Sequence, residues 1–153
     1  MREIILISFL GPDQPNQFTR LMQVLSAHSL QILDVGQAVI HNQLTLGIVV
    51  ASDDQTATAL AMKEILILAH DIGLTVRFKP ISATEYDQWV KEGGRTRYIV
   101  TALAPELNAS HLQAVTQIVS AQGFNIETVT RLSGRPALDG SSTGPKRACI
   151  EFG

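Results

Sequence analysis

The chain repeats itself. Ser26-Ala27-His28-Ser29-Leu30-Gln31-Ile32 lies on Ser120-Ala121-Gln122-Gly123-Phe124-Asn125-Ile126. The same ungapped offset lays Ile5-Leu6-Ile7 on Ile99-Val100-Thr101, and Leu21, Val24 and Leu25 on Val115, Ile118 and Val119. An internal repeat constrains the fold more tightly than any local pattern, because each copy must be the same supersecondary unit. Each copy reads strand, loop, helix, strand. The first continues through a further strand, helix and strand. The second reaches only a returning strand, Lys146 to Phe152, before Gly153. A chain of 153 residues suits one ordinary domain or two small ones, and the repeat decides for two.

Composition removes several function classes. Formal net charge is −2 and no stretch gathers Lys or Arg into a stripe, so no nucleic-acid partner is expected. No apolar run approaches the roughly 20 residues that span a bilayer, so no membrane partner is expected. Met1-Arg2-Glu3-Ile4 places an acid where a secretion signal requires net positive charge. The single cysteine, Cys149, excludes an intrachain disulfide and a multi-cysteine zinc site. A cytoplasmic setting fits. His28, His70 and His111 stand on helices at no ligand spacing, and His41 in a turn, so no metal is expected.

Element by element, Glu3 to Leu10 is a β-rich apolar run. Gly11-Pro12-Asp13-Gln14-Pro15-Asn16 is dense in turn residues, and Asp13 is the expected cap of the next helix. That helix carries Phe18, Leu21, Met22 and Leu25 on one face. Ile32 to Ile40 and Leu44 to Ala51 form a hairpin. Ser52 and Gln55 have capping-box spacing for a helix that stops at Gly73. Within it, Ile65-Leu66-Ile67-Leu68 is apolar around more than one side. This predicts a contact beyond the core, with strong burial on the core alone as the alternative. Thr75 to Lys79 is a strand closed by Pro80. Ser82 to Glu85 repeats the capping-box pattern and opens a short docked helix bearing Tyr86, Trp89 and Val90. In the second copy, Arg97 to Leu103 is a strand, Asn108 caps a helix that Gly123 ends, and Asn125 to Leu132 is a strand. Ser133 to Pro145 is a long hairpin loop, and Arg131 and Arg135, either side of Gly134, read as a solvated pair at its start.

Copy one is therefore βαββαβ, a ferredoxin-like α+β unit whose antiparallel sheet carries both helices on one face. Copy two is the same unit truncated to βαββ. The expected domains are residues 1–80, a linker with a short helix at 81–96, and 97–153. The second sheet lacks a second helix of its own, so it is expected to expose apolar surface and to be the less stable copy.

A strand that runs into Gly11-Pro12-Asp13-Gln14-Pro15-Asn16 and then an amphipathic helix resembles the opening of an ACT domain, whose loop pattern is Gly-x-Asp/Asn-x-Pro-Gly. Ile32-Leu33-Asp34-Val35-Gly36-Gln37-Ala38-Val39-Ile40-His41, Leu44-Thr45-Leu46-Gly47-Ile48 and Val76-Arg77-Phe78 resemble the first repeat of the tandem ACT extension of bacterial phosphoserine phosphatases. Tyr98-Ile99-Val100-Thr101 and Thr130-Arg131-Leu132-Ser133-Gly134-Arg135-Pro136 resemble its second repeat. The resemblance is collinear over essentially the whole chain. It implies a regulatory front to a haloacid-dehalogenase-type catalytic domain, in which an Asp-x-Asp motif works beside Mg²⁺. This sequence contains no Asp-x-Asp, so the expectation is a non-catalytic module with no cofactor of its own.

The resemblance also implies a site. In ACT domains the first loop, with an Asn early in the second strand of a facing domain, holds an amino acid. Here Gly11, Asp13 and Pro15 keep the loop pattern, Asn16 replaces its final Gly, and Gln31 stands at the facing-strand position. In copy two, Ala104 to Ser110 have lost the pattern, yet Asn125 stands at that strand position. The copies are complementary, so the loop of one is expected to meet Asn125 of another across an ACT–ACT interface, with L-serine as ligand and a homodimer as the assembly. The alternatives are that Asp13 only caps a helix and Asn125 only makes a turn, in which case the chain is a structural dimerisation arm.

Overall fold

Alternation along two strands builds the first core. In a computed structural model describing residues 2–94, 96–135 and 148–153, β1 (Glu3–Pro12) and β3 (Gln43–Ser52) run antiparallel, with Ile5 opposite Val50, Ile7 opposite Ile48 and Phe9 opposite Leu46. These six side chains point to one face, because side chains opposite each other in a ladder share a face. All six are buried. β2 (Gln31–Ile40) pairs with β3 through a bulge between Ile32 and Asp34, and β4 (Thr75–Ile81) pairs with the other side of β1. The order β2-β3-β1-β4 with every pair antiparallel is the ferredoxin-like arrangement expected.

Two helices close that face. α1 (Gln17–Ala27) buries Leu21 and Leu25, and α2 (Gln55–Asp71) buries Ala61, Ile65 and Ala69. The alanines either side of Ile65 let α2 lie close on the sheet. Leu66 and Ile67 remain about half exposed, so the apolar run does wrap past the buried side of the helix. The hairpin turn is His41-Asn42, both at positive φ, the two-residue geometry that matches strand twist.

Three local expectations are corrected. Asp13 does not cap α1: the cap position is Asn16, and Asp13 lies upstream in the loop, its backbone N–H on Asn42 O at 2.8 Å. Ser52 does not cap α2. Its Oγ accepts from Asp54 N, while the Asp54 carboxylate accepts from Thr56 N and Ala57 N, so Asp54 is the cap. β4 does not stop before Pro80 but continues to Ile81, because Pro is tolerated on an edge strand.

The capping box at Ser82 does form, with Glu85 N donating to Ser82 Oγ at 3.1 Å. The resulting α3 (Ala83–Gly93) buries no residue, so it is a helix but not the docked one expected. Lys79 Nζ donates to Glu85 Oε1 at 2.8 Å. That hydrogen bond, reinforced by the lysine charge, holds the Glu85 carboxyl below the usual glutamate range. A depressed carboxyl stabilises the fold above its unfolded pKa, and that contribution is lost as pH falls through the folded pKa. Acidification below the ordinary glutamate range should therefore fray the start of α3, modestly because the pair is solvent-screened. Lys79→Gln should raise the Glu85 midpoint. A carboxyl-carbon NMR titration reads both, and an unmoved midpoint in the variant refutes the assignment.

The chain divides into two units, Met1–Gly94 and Arg95–Gly153. The second contains β5 (Val100–Ala104), α4 (Ala109–Ala121), β6 (Val129–Arg131) and β7 (Ala148–Phe152), with sheet order β5-β7-β6. This matches β1, α1, β2 and β3 of the first unit, and among the described residues nothing corresponds to α2 or β4. Asn108 caps α4 as expected, accepting from His111 N. β6 is shorter than expected: residues 125–128 lie outside it, with Glu127 N and Thr128 N both donating to Gly153 O. The greater part of the loop read at Ser133 to Pro145 lies outside the described residues. α4 buries no residue, and a cleft of about 380 Å³ lined by Ala102, Leu107, Leu112, Val115 and Ile150 opens against it.

Candidate functional site

The β1–α1 loop begins where β1 meets the α2–β4 turn. A Cβ on Gly11 would sit 2.7 Å from Gly73 O and 2.9 Å from Leu74 Cδ2, so only glycine permits this approach. Any side chain at Gly11 should push the loop away and cost about 1–3 kcal/mol of overpacking strain. Thermal unfolding of Gly11→Ala tests this, and wild-type stability would contradict it.

Residues 12–16 are all exposed, so one chain presents an open loop rather than a walled pocket. Asn16 adopts φ 67 and ψ 1, the left-handed conformation that glycine takes at no cost and asparagine tolerates better than most residues. Its side chain makes no capping hydrogen bond. By contrast, α2, α3 and α4 are each closed by a side chain: Asp54, Ser82 and Asn108. The first N–H groups of α1 are left without a side-chain cap, and uncapped helix N–H groups favour an anion. The Asp13 carboxylate, with no hydrogen-bond partner among the described residues, stands three residues before the cap position Asn16.

Gln31 stands far from this loop. It begins β2 opposite Ala51, the row that also holds Ile4, whereas the loop leaves the sheet at Pro12, opposite Gln43. Eight residues of β1 separate the two rows, about 27 Å at ~3.4 Å per residue. Gln31 accepts a hydrogen bond from Arg2. Asn125 occupies the corresponding place in the second unit, exposed and just ahead of Glu127 and Thr128 on Gly153 O. The Arg131 guanidinium is engaged by its own loop, donating to Ser133 O and Gly134 O.

Sequence reasoning missed Gln17. It is 3% exposed, and its carboxamide bonds to Gln14 N, Pro12 O and Ile72 O. The available signal was its position four residues before Leu21, on the buried stripe of α1. No group of three or more His, Cys, Asp or Glu among the described residues could hold a metal ion. No described helix is long and apolar enough to cross a membrane.

Comparison with known proteins gives four findings. A family model described as ACT domain matches residues 3–79. The chain is 29% identical to phosphoserine phosphatase SerB2 of Mycobacterium tuberculosis over 86% of its own length and 31% of the relative's. It is 26% identical to a phosphoserine phosphatase of Streptomyces coelicolor over 95% and 36% of the two lengths. It thus spans about a third of these curated relatives. An unknown protein from Galdieria sulphuraria shares the fold, with a TM-score of 0.64 at 13% identity over 99% of this chain and 81% of that one.

Proposed function

Because the chain belongs to the ACT domain family, we propose that it is the amino-acid-sensing and dimerising region of a phosphoserine phosphatase of serine biosynthesis, with L-serine as its ligand and no catalysis of its own. The uncapped start of α1, framed by left-handed Asn16 and by an Asp13 carboxylate with no partner among the described residues, carries this reading. An amino acid presents a carboxylate and an ammonium. The free N–H groups of α1 take the first, and Asp13 takes the second. Hydrogen bonds to charged groups contribute about 1.5–3 kcal/mol each, enough in combination for a metabolite-range affinity.

The wall that one loop lacks comes from a second chain. β2 is an edge strand, and its helix-side residues Ile32, Val35 and Val39 are each more than a third exposed. Phe18 of α1 adds to the exposed apolar surface. Antiparallel pairing of β2 with residues 125–131 of a partner chain brings the partner's Asn125 to the Ile40 end of β2. That end carries the His41-Asn42 turn, to which the Asp13 backbone is bonded. Gln31 of a partner reaches the same place if β2 pairs with β2. Serine would regulate an attached phosphatase if it binds the paired arrangement better than the unpaired one.

Isothermal titration of the chain with L-serine, with glycine and phosphoserine as controls, is the test. Saturable binding is expected, with Asp13→Ala weakening it by about tenfold or more, the equivalent of one charged hydrogen bond. Asn125→Ala should weaken it as well and should reduce the dimer fraction on size exclusion. A second reading has its own support: the Gln14 N–H in the loop is already taken by Gln17 Oε1, as expected of an arm that dimerises without ligand. Dimerisation with no serine heat selects that reading.

A further inference from the structure

A buried carboxamide is costly unless its polar atoms are satisfied. Gln17 stands on the stripe of Leu21 and Leu25, where an apolar side chain would pack without that demand. Its Oε1 accepts from Gln14 N at 3.0 Å, and its Nε2 donates to Pro12 O at 3.0 Å and Ile72 O at 3.2 Å. Pro12 ends β1, Gln14 lies inside the loop, and Ile72 is the C-cap of α2. One side chain therefore ties the loop on itself and ties it to the end of the other helix.

The repeat separates the two jobs. The offset that lays Ser26 on Ser120 also lays Gln17 on His111, Pro12 on Glu106 and Gln14 on Asn108. His111 Nδ1 lies 3.1 Å from Glu106 O, so a side chain at the aligned position again reaches back five residues to a backbone carbonyl, here from the third residue of α4 to the loop after β5. The other two bonds do not recur among the described residues. Asn108 Oδ1 accepts from His111 N, closing the helix start that the first unit leaves open. The bonds to Gln14 N and Ile72 O thus accompany the open N-terminus.

We infer that Gln17 is the positioning residue of the ligand loop and the route by which occupancy of that loop reaches the C-terminal end of α2. This rests on the loop being the amino-acid site. A carboxylate arriving at the start of α1 competes with or reorients the groups that Gln17 holds. A shift of its carboxamide alters the bond to Ile72 O, next to the Gly73 turn that Gly11 touches. The neighbouring stretch of α2 carries half-exposed Leu66 and Ile67, so the movement arrives beside free apolar surface.

The test is amide NMR on the whole chain, wild type, Gln17→Met and Gln17→His, with and without L-serine. Without ligand, the wild-type Gln14 amide and Gln17 carboxamide protons should exchange slowly, and Gln17→Met should speed Gln14 exchange by tenfold or more. With serine, wild-type Ile72 and Gly73 amides should shift. Gln17→Met should lose about tenfold in affinity. Gln17→His, which reproduces the bond of the second unit, should retain binding within a few-fold but lose the response at Ile72 and Gly73. Wild-type affinity in Gln17→Met, or an undiminished Ile72 response in Gln17→His, overturns the inference and leaves the serine site standing. Absence of serine binding by wild type refutes the site itself, and the Gln14 exchange rates then decide the loop-locking role alone. If Gln17→Met does not fold, the histidine variant and wild-type exchange carry the decision.

Discussion

Phe9→Ala should lower the stability of the first unit by about 3–5 kcal/mol. Phe9 is 1% exposed on an inner strand, flanked in register by Leu46 on one side and Val76 on the other. A cavity there cannot close by moving one element, since both neighbouring strands hold β1 in its ladder and both helices lie over the same face. Small domains have only about 5–15 kcal/mol in total. At about 4–8 °C per kcal/mol for a unit of this size, the midpoint should fall by about 12–40 °C. Ile40→Ala, at the edge-strand end of the hairpin and 73% exposed, should change stability by less than about 0.5 kcal/mol. Chemical denaturation followed by amide NMR separates the units. A Phe9→Ala cost under about 1 kcal/mol would mean that the core does not close around this ring.

What was legible in the sequence depended on how local the cause is. The element order and the ferredoxin-like sheet followed from the repeat and from strand alternation, because a period-2 pattern leaves one way to bury Ile5, Ile7 and Phe9 against Leu46, Ile48 and Val50. Ser82 and Asn108 were legible as caps because each is the natural acceptor at its helix start. Ser52-Asp53-Asp54-Gln55 offered several acceptors, and Ser52 instead closes a turn on Asp54 N. The loop was harder still. Asp13 and Asn16 were visible from spacing, but what shapes the loop is Gln17, whose bond to Ile72 O spans 55 residues and leaves no local pattern. The capping box before α3 predicted a helix and not its burial, since capping depends on the first turn alone. That Gln31 and the loop lie at opposite ends of the sheet required the strand order.

The second unit should open far more readily than the first. Among the described residues, its buried apolar side chains are those of β7: Ala148, Ile150 and Phe152. Leu103 and Ile118 are 70% and 68% exposed, α4 buries none of its residues, and among the described residues no helix covers the cleft at Ala102 and Ile150 as α2 covers the first sheet. Local opening free energy follows buried apolar contact. Amides of β5 and α4 should therefore exchange on the order of a hundredfold faster than those of β1 and β3 in the same molecule. Dimerisation along β2 adds a discriminating consequence. Raising the chain concentration should slow exchange at Val129–Arg131, the strand that gains a partner, while the middle of α4 stays fast because that contact covers a sheet edge and not the cleft. Equal protection in the two units at low concentration would show that the second sheet is held by contacts that its side-chain burial does not account for.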